Sequence, residues 1–185
     1  MIEDVYKRSK EKMEKSIHFL VEELKGIRSG RAHSSLVENI YIEYYGSKVP
    51  LKQIASISVP ESRLIVIQPW DKNALQEIEK ALLSSEIGVT PSNDGKVIRL
   101  ALPQLSEEQR QNLAKVVHKK GEECKVAIRN IRREANHEIE KIKNEGHISA
   151  DEVEKAHKEI QKFTDEYVKK IDEIVDRKVD EIMEV

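Results

Sequence analysis

The chain has 185 residues, of which 36% are charged and 4% aromatic, and its formal net charge is −2. Charged residues make up roughly a quarter of an average globular protein, so this composition favours long, exposed helices. A net charge so close to zero does not imply nonspecific binding to polyanions, so a nucleic-acid surface would have to be local. The single cysteine excludes an intramolecular disulfide, and no secretory signal or membrane span is expected, which indicates a cytoplasmic protein.

An apolar heptad pattern predicts a first helix over residues 2–29. Its apolar side chains recur at steps of four and three positions, at Met13, Ile17, Leu20, Leu24 and Ile27. This spacing is typical of one buried face of a packed helix. Gly30, in the stretch "RSGRA", is expected to end the helix.

The composition of the next region, residues 31–104, is typical of a small mixed α/β module. The stretches "LVENIYIEYYGSKVPL" and "IASISVPESRLIVIQPW" are rich in Val, Ile and Tyr and predict short strands. The uninterrupted apolar run Leu64–Ile67 predicts a central strand. The stretch "DKNALQEIEKALLSSE" predicts a short helix capped by Asp71, and Asp94-Gly95 predicts a hairpin turn.

Two capping boxes predict the starts of two long helices. Ser106 and Gln109 are predicted to cap the start of a helix over 106–145, which Gly146 is expected to end. Ser149 and Glu152 are predicted to cap the start of the second helix. The apolar stripe of the first is predicted to be Leu113, Val116, Cys124, Ile128, Ile131, Ala135, Ile139 and Ile142. The stripe of the second is predicted to be Val153, Ile160, Phe163, Tyr167, Ile171 and Ile174.

Three long helices with one apolar stripe each predict an antiparallel three-helix bundle, built from residues 1–30 and 105–185. The mixed module, residues 31–104, is then an inserted domain, and the fold class is α+β. The chain crosses between the two domains twice, and both crossings carry a helix- or strand-breaking residue. We expect hinges at these crossings, because relative motion of two domains is the default unless their interface is large. The alternative is that the residues there only end helices and strands. The predicted hinge residues are Ser29, Gly30, Arg31, Leu102, Pro103, Gln104 and Leu105.

The stretch "VAIRNIRREAN", residues 126–136, lies in the most basic part of the chain; residues 105–146 hold 10 basic and 8 acidic side chains. A helix turns by about 100° per residue, so Arg129, Arg133 and Asn136 are predicted to point away from the apolar stripe. Arg132 is predicted to lie at the flank of the stripe, and Lys125 to extend the outward side by one turn. One reading is a solvated face whose arginines pair with neighbouring acids, Glu122, Glu123, Glu134 and Glu138. The other is an anion or RNA surface, because the arginine fork suits phosphates.

No catalytic or metal site is expected. Glu134-x-x-His137 and Glu154-x-x-His157 resemble parts of a di-iron carboxylate bundle, but such ligands point inward and these side chains are predicted to point outward. Cys124 falls on the apolar stripe and is predicted to be a buried, inert thiol. No cofactor-binding motif occurs.

Over its full length the chain resembles the bacterial ribosome recycling factors. The motifs that carry the resemblance are "RSGRA" at 28–32, "EYYG" at 43–46 with "PL" at 50–51, "VAIRNIRREAN" at 126–136 and "IS" at 148–149. The resemblance implies an elongated three-helix bundle with an inserted β/α/β sandwich-like domain and an L-shaped molecule. It also implies a monomeric translation factor, without enzymatic activity, that works with elongation factor G and GTP to split the post-termination ribosome.

The resemblance further implies contacts with large-subunit ribosomal RNA in the intersubunit space, and none with DNA or membranes. The family's RNA-facing positions correspond to six arginines of this chain, Arg28, Arg31, Arg110, Arg129, Arg132 and Arg133. The residues that would meet elongation factor G are not implied; Tyr44, Tyr45 and Trp70 are either core or interface. The alternative function is a helical protein-only adaptor without RNA binding.

Overall fold

A computed structural model of the protein describes residues 1–184. The helices in this part of the chain are α1 (Ile2–Lys25), α2 (Leu75–Ser84), α3 (Glu107–Asn144) and α4 (Ala150–Met183). The strands are β1 (Tyr41–Tyr44), β2 (Ser47–Pro50), β3 (Ala55–Glu61), β4 (Leu64–Pro69), β5 (Ser92–Asn93) and β6 (Ile98–Ala101). Short 3₁₀ turns occupy Ser34–Leu36, Leu51–Gln53 and Lys72–Ala74.

The chain divides into two compact units. The first, the helical unit, consists of Met1–Leu24 and Ala114–Asp180. The second, the mixed unit, consists of Lys25–Leu113 and the C-terminal residues from Glu181. The predicted fold class, a three-helix bundle with a small α/β domain, is confirmed. The predicted domain bounds, 1–30 with 105–185 and 31–104, stay a prediction.

In the helical unit, contacts between helices fix their directions. Ion pairs join Arg8 to Glu138 and Lys12 to Glu134, so α1 and α3 run antiparallel. Between α3 and α4, His157 lies beside Glu140 and Asp172 beside Lys125, which is again antiparallel order. Between α1 and α4, Tyr6 meets the Phe163 ring edge to face and the Tyr167 hydroxyl donates to Glu14, so these two helices run parallel.

The buried stripes agree with the predicted ones at most positions. The buried residues include Met13, Ile17 and Leu20 of α1, Cys124, Ile128, Ala135 and Ile139 of α3, and Ile160, Phe163, Tyr167 and Ile171 of α4. Val116 is exposed and its neighbour Val117 is buried instead, so that prediction is wrong by one residue. Ile174 is half-buried beside the buried Val175, and the predicted Leu113, Ile131 and Ile142 are also half-buried. The α3 stripe in fact steps through Val117, Gly121 and Cys124. Gly121 belongs to it because a side chain there would collide with Val175.

The end of the first helix is also earlier than predicted. The helix α1 stops at Lys25, and residues 26–33 form an irregular connecting segment. Gly26, four residues before the predicted cap Gly30, follows the helix directly. Because glycine has a low helix propensity, Gly26 favours the end of α1 at Lys25 over a further helical turn.

The mixed unit contains two antiparallel sheets and one helix. The strands β1 and β2 form a hairpin, and the other four strands form a sheet in the order β3-β4-β6-β5. The strand β4 is therefore central, as its apolar run predicts. Ile65 and Ile67 of β4 are completely buried, in a core that includes Ile78 and Leu82 of α2 and Leu100 of β6.

The two capping boxes and the hairpin turn are confirmed, whereas Asp71 caps the 3₁₀ turn Lys72–Ala74 that leads into α2 and not α2 itself. Ser106 and Gln109 exchange side-chain to backbone hydrogen bonds of 2.9 and 3.2 Å, and Ser149 and Glu152 exchange bonds of 2.7 and 3.2 Å. Asp71 accepts a hydrogen bond from the Asn73 backbone at 2.9 Å. Gly95, in the hairpin turn, has a positive φ of 87°, a conformation that glycine adopts without strain.

Candidate functional site

Three arginines of α3 line one side of the helical unit. Arg129 and Arg133 are exposed and Arg132 is half-buried, while their neighbours Ile128 and Ala135 are buried. The helical spacing therefore directs Arg129 and Arg133 away from the core and places Arg132 at the flank of the buried stripe, as predicted. We refer to Arg129, Arg132 and Arg133 as the arginine face.

Two of the four acids expected to neutralise the arginine face, Glu134 and Glu138, pair with residues of α1 instead. Glu134 pairs with Lys12 at 3.1 Å, and Glu138 pairs with Arg8. Both acids therefore serve the contact between α3 and α1. The interpretation in which neighbouring acids neutralise the arginines therefore lacks two of its proposed ion-pair partners.

The hydrogen-bond partners of the arginine face are neutral. The Arg132 guanidinium donates to Gln161 Oε1 and that of Arg133 to Asn130 Oδ1, both at 3.3 Å. Over residues 1–184, none of the three arginines has a carboxylate within ion-pair distance. Their charge is therefore available to an external anion.

Two residues predicted to join this side do not. Lys125 pairs with Asp172 of α4 and with Glu122, and the hydrogen bond to Asp172 raises its pKa. Asn136 is half-buried, and its Oδ1 atom is buried without a hydrogen-bond partner among the described residues. The prediction was wrong because α3 packs against two helices, so that its buried arc is wider than one apolar stripe.

The other three predicted RNA-binding arginines lie in the mixed unit. Arg28 is half-buried, its Nη2 atom donates to the Pro103 carbonyl, and burial lowers its pKa. Arg31 is exposed. Arg110 is only 6% exposed, although it follows the first turn of α3. These three arginines therefore differ from the arginine face in burial and in partners.

The two chain connections predicted as hinges meet the turn between β3 and β4. The Ala32 amide donates to the Ser62 carbonyl, and the Leu102 amide donates to the Arg63 carbonyl, each at 2.7 Å. Through the Arg28–Pro103 bond the connections also contact each other. We refer to residues 28–32, 62–63 and 102–105 as the junction.

The predicted hinge residues are not uniformly exposed. Ser29, Leu102 and Leu105 are buried, whereas Arg31, Pro103 and Gln104 are exposed. Gly30 has no positive φ, so its backbone conformation is one that other residues also adopt. Hinge motion at these positions stays a prediction.

Arg31 and Arg110 line one cavity of about 330 Å³ in the mixed unit. A third arginine, Arg63 in the turn between β3 and β4, lines the same cavity. Sequence reasoning missed Arg63, because it is separated from Arg31 and Arg110 by more than thirty positions. The only signal was its place in the polar turn "ESR" between two apolar strands.

The residues considered for metal binding are dispersed. His137 is exposed, and Glu154 pairs with Lys158 at 3.0 Å, which lowers the pKa of its carboxyl. Over residues 1–184, no three His, Cys, Asp or Glu side chains are placed to share a metal ion. Cys124 is buried, its thiol lies 3.5 Å from the Ser16 carbonyl, and burial raises its pKa to about 11.

Two aromatic side chains left open as core or interface are exposed. Tyr45 is 76% and Trp70 is 70% exposed, so neither belongs to the core. Tyr44 is half-buried, and the hydroxyls of Tyr44 and Tyr45 both donate to Asp71, at 3.1 and 2.8 Å.

None of the helices described has the length and apolarity that a membrane crossing requires.

Comparisons with known proteins agree with one another. The family model "Ribosome recycling factor" matches residues 20–183. A ribosome-recycling factor of Geobacillus kaustophilus is 51% identical over 185 residues, which are 100% of both chains. The chain is also similar to a solution structure of the ribosome recycling factor, with 45% identity, a TM-score of 0.81 and coverage of 100% of this chain and 98% of that one.

A second solved structure shows a relative in an assembly. It describes the T. thermophilus ribosome recycling factor and E. coli elongation factor G bound to the E. coli post-termination complex. The matching chain is 43% identical, with a TM-score of 0.68, and the alignment covers 100% of both chains.

Proposed function

The chain belongs to the ribosome recycling factor family, and we propose on that premise that it recycles ribosomes at the end of protein synthesis. It acts with elongation factor G and GTP on the post-termination ribosome, releases the messenger and transfer RNA, and splits the subunits. It hydrolyses nothing itself. Its relative that binds the post-termination complex with elongation factor G supports both partners.

We propose that the arginine face is the main contact with large-subunit ribosomal RNA. The observation that carries this proposal is the combination of three arginines on one side of α3 with the diversion of Glu134 and Glu138 to α1. Guanidinium groups without carboxylate partners can bind backbone phosphates through two parallel hydrogen bonds. Such contacts position a protein on folded RNA without reading its sequence.

The remaining parts of the proposal concern the mixed unit. Arg28, Arg31 and Arg110 contact the same RNA, and the junction is the hinge about which the mixed domain moves when elongation factor G acts on it. The protein works as a monomer in the cytoplasm, in the space between the ribosomal subunits. The exposed aromatic residues Tyr45 and Trp70 are available for protein contacts, because tyrosine and tryptophan are enriched at binding hot spots.

A ribosome-splitting assay tests the function. Light scattering follows the dissociation of post-termination ribosomes after addition of the protein, elongation factor G and GTP. We expect splitting only when all three are present. Splitting that is equally fast without the protein would contradict the proposal.

Nuclease treatment separates this function from the adaptor alternative. If the protein binds large subunits through RNA, digestion of the ribosomal RNA releases it. An adaptor that binds only proteins would stay attached to its partners after digestion.

A further inference from the structure

Gln161 of α4 connects Arg132 of the arginine face to an acid of its own helix. The Arg132 guanidinium donates to Gln161 Oε1 at 3.3 Å, and Gln161 Nε2 donates to Asp165 Oδ1 at 2.8 Å. An ionised carboxylate only accepts hydrogen bonds, so the contact with Asp165 directs the amide nitrogen of Gln161 along α4 and leaves its oxygen for Arg132. The two ends of one amide therefore lie between a cation and an anion.

The register of the antiparallel helices α3 and α4 places Asp165 at the level of Arg132. Lys125 of α3 forms an ion pair with Asp172 of α4. Arg132 lies seven positions after Lys125, and Asp165 lies seven positions before Asp172, which is two helical turns in each case. The same register would join Arg132 and Asp165 in a further ion pair, but no carboxylate among residues 1–184 lies within ion-pair distance of Arg132.

A neutral partner restrains the Arg132 side chain and leaves its charge intact. A guanidinium group has five N–H donors, so one bond to Gln161 leaves enough donors for a phosphate held by two parallel hydrogen bonds. Restraint before binding avoids an entropic cost that is equivalent to about twofold to tenfold in affinity. An ion pair with Asp165 would restrain Arg132 as well, but it would have to break before a phosphate binds.

We propose that Gln161 is a positioning residue for Arg132 and that it keeps Arg132 from pairing with Asp165. The amide holds the guanidinium group across the contact between α3 and α4, and it engages the acid that would otherwise neutralise it. Gln161 acts through Arg132 and does not itself contact RNA. The inference rests on the proposed function, in which Arg132 binds a phosphate of ribosomal RNA.

A rescue experiment on isolated large subunits tests the proposal with the full-length protein. Gln161→Leu removes the amide and frees Asp165 to pair with Arg132, so we expect binding about fivefold weaker. Asp165→Asn added to Gln161→Leu removes the competing acid, and binding should recover to about twofold weaker than that of the parent, since only the restraint is then missing. Unchanged binding by Gln161→Leu, or a loss that the second substitution does not reduce, would overturn the proposal.

Two control variants separate this effect from general causes. Asp165→Asn alone removes the same negative charge while the amide stays in place, and should change binding by less than about 1.5-fold. A gain as large as in the Gln161→Leu background would mean that the charge of Asp165 acts without Gln161, and would contradict the proposal. Gln111→Leu removes another exposed helical glutamine that donates to an acid four positions away, Glu107, and should leave binding unchanged. Equal losses for Gln111→Leu and Gln161→Leu would also contradict it.

NMR relaxation of the free protein gives a readout that does not depend on ribosomes. The order parameter of the Arg132 Nε–H bond should fall when Gln161→Leu and Asp165→Asn are combined, because the guanidinium group then loses both acceptors. An unchanged order parameter would overturn the positioning role. The two failures are distinguishable: a protein that splits ribosomes but does not respond to Gln161→Leu lacks the positioning contact, and one whose Arg132 is ordered by Gln161 but that splits no ribosomes lacks the function.

Discussion

The arginine face of the helical unit and the arginines of the mixed unit are the same residue type in two different settings. Arg129 and Arg133 are exposed and form no contact that stabilises a distant part of the fold. Arg28 joins two chain connections through the Pro103 carbonyl, and Arg110 is buried beside a cavity. The difference teaches that arginine clustering alone does not define a binding surface; partners and burial decide which arginines are free to bind RNA.

The largest expected effect comes from removing the arginine face. The triple variant Arg129→Gln, Arg132→Gln and Arg133→Gln should bind large subunits on the order of a hundredfold more weakly, since each charged hydrogen bond contributes about 1.5–3 kcal/mol and exposure reduces it. Its unfolding free energy should change by less than about 0.5 kcal/mol. Fluorescence anisotropy and urea unfolding measure the two quantities.

A charge-matched triple variant serves as the control. Lys141, Lys143 and Lys169 are also exposed cations of the helical unit. Their replacement by glutamine removes the same charge and should weaken binding by less than about tenfold, through the general electrostatic attraction alone. Equal losses for both triple variants would remove the distinction between the arginine face and any other cationic surface.

The inward side of α3 is tested by the reactivity of Cys124. Burial raises the pKa of its thiol from about 9 to about 11, so at pH 8 its thiolate fraction is about a hundredfold lower than that of a free cysteine. We expect alkylation by iodoacetamide to be slower by at least that factor in the folded protein and to reach the free rate in urea. Fast labelling of the folded protein would place Cys124 on an accessible surface.

The same thiol gives a prediction for alkaline pH. Because the folded-state pKa lies above the unfolded value, the stabilising effect is complete below about pH 9 and is lost as the pH rises towards 11. Cys124→Ala should remove this part of the alkaline loss of stability. Tyr167 contributes in the same direction in both proteins, because burial raises its pKa to about 12.

A smaller effect distinguishes Arg28 from Arg31. Arg28→Lys keeps the charge but loses the guanidinium fork that reaches Pro103, and should lower the unfolding free energy by about 1 kcal/mol. Arg31 is exposed, so Arg31→Lys should change it by less than about 0.5 kcal/mol. Urea unfolding followed by Trp70 fluorescence and circular dichroism compares the two, and indistinguishable midpoints would count against a structural role of Arg28.

The smallest expected effect concerns Glu134, the acid nearest to Arg133 in the chain. Its carboxylate pairs with Lys12 of α1, in an exposed ion pair that contributes less than about 1 kcal/mol to stability. Glu134→Gln should strengthen binding to large subunits about twofold, because a negative charge beside the arginine face is removed. Weaker binding would mean that Glu134 positions an arginine after all.

Features with local causes were predictable from the sequence. The capping boxes at Ser106 and Ser149 and the turn at Asp94-Gly95 depend on residues within three positions of each other. The outward direction of Arg129 and Arg133 follows from the helical period alone. Each of these needs no knowledge of the rest of the fold.

Features that depend on distant partners were not predictable. The burial of Asn136 requires the positions of the helices that pack against α3, and the roles of Glu134 and Glu138 require that of α1. Arg63 joins Arg110 only because the turn between β3 and β4 accepts hydrogen bonds from both chain connections. The resemblance to ribosome recycling factors supplied the partner, but the sequence pattern could not tell which arginines were already engaged.

The salt dependence of binding to isolated large subunits tests the central claim most directly. Each phosphate contact releases bound counter-ions, and contributes about 0.7–0.9 to the slope of log affinity against log salt concentration. If the arginine face binds phosphates, the triple variant of Arg129, Arg132 and Arg133 should have a slope smaller by about two to three than that of the parent protein. Parallel lines with equal slopes for the two proteins would contradict the assignment.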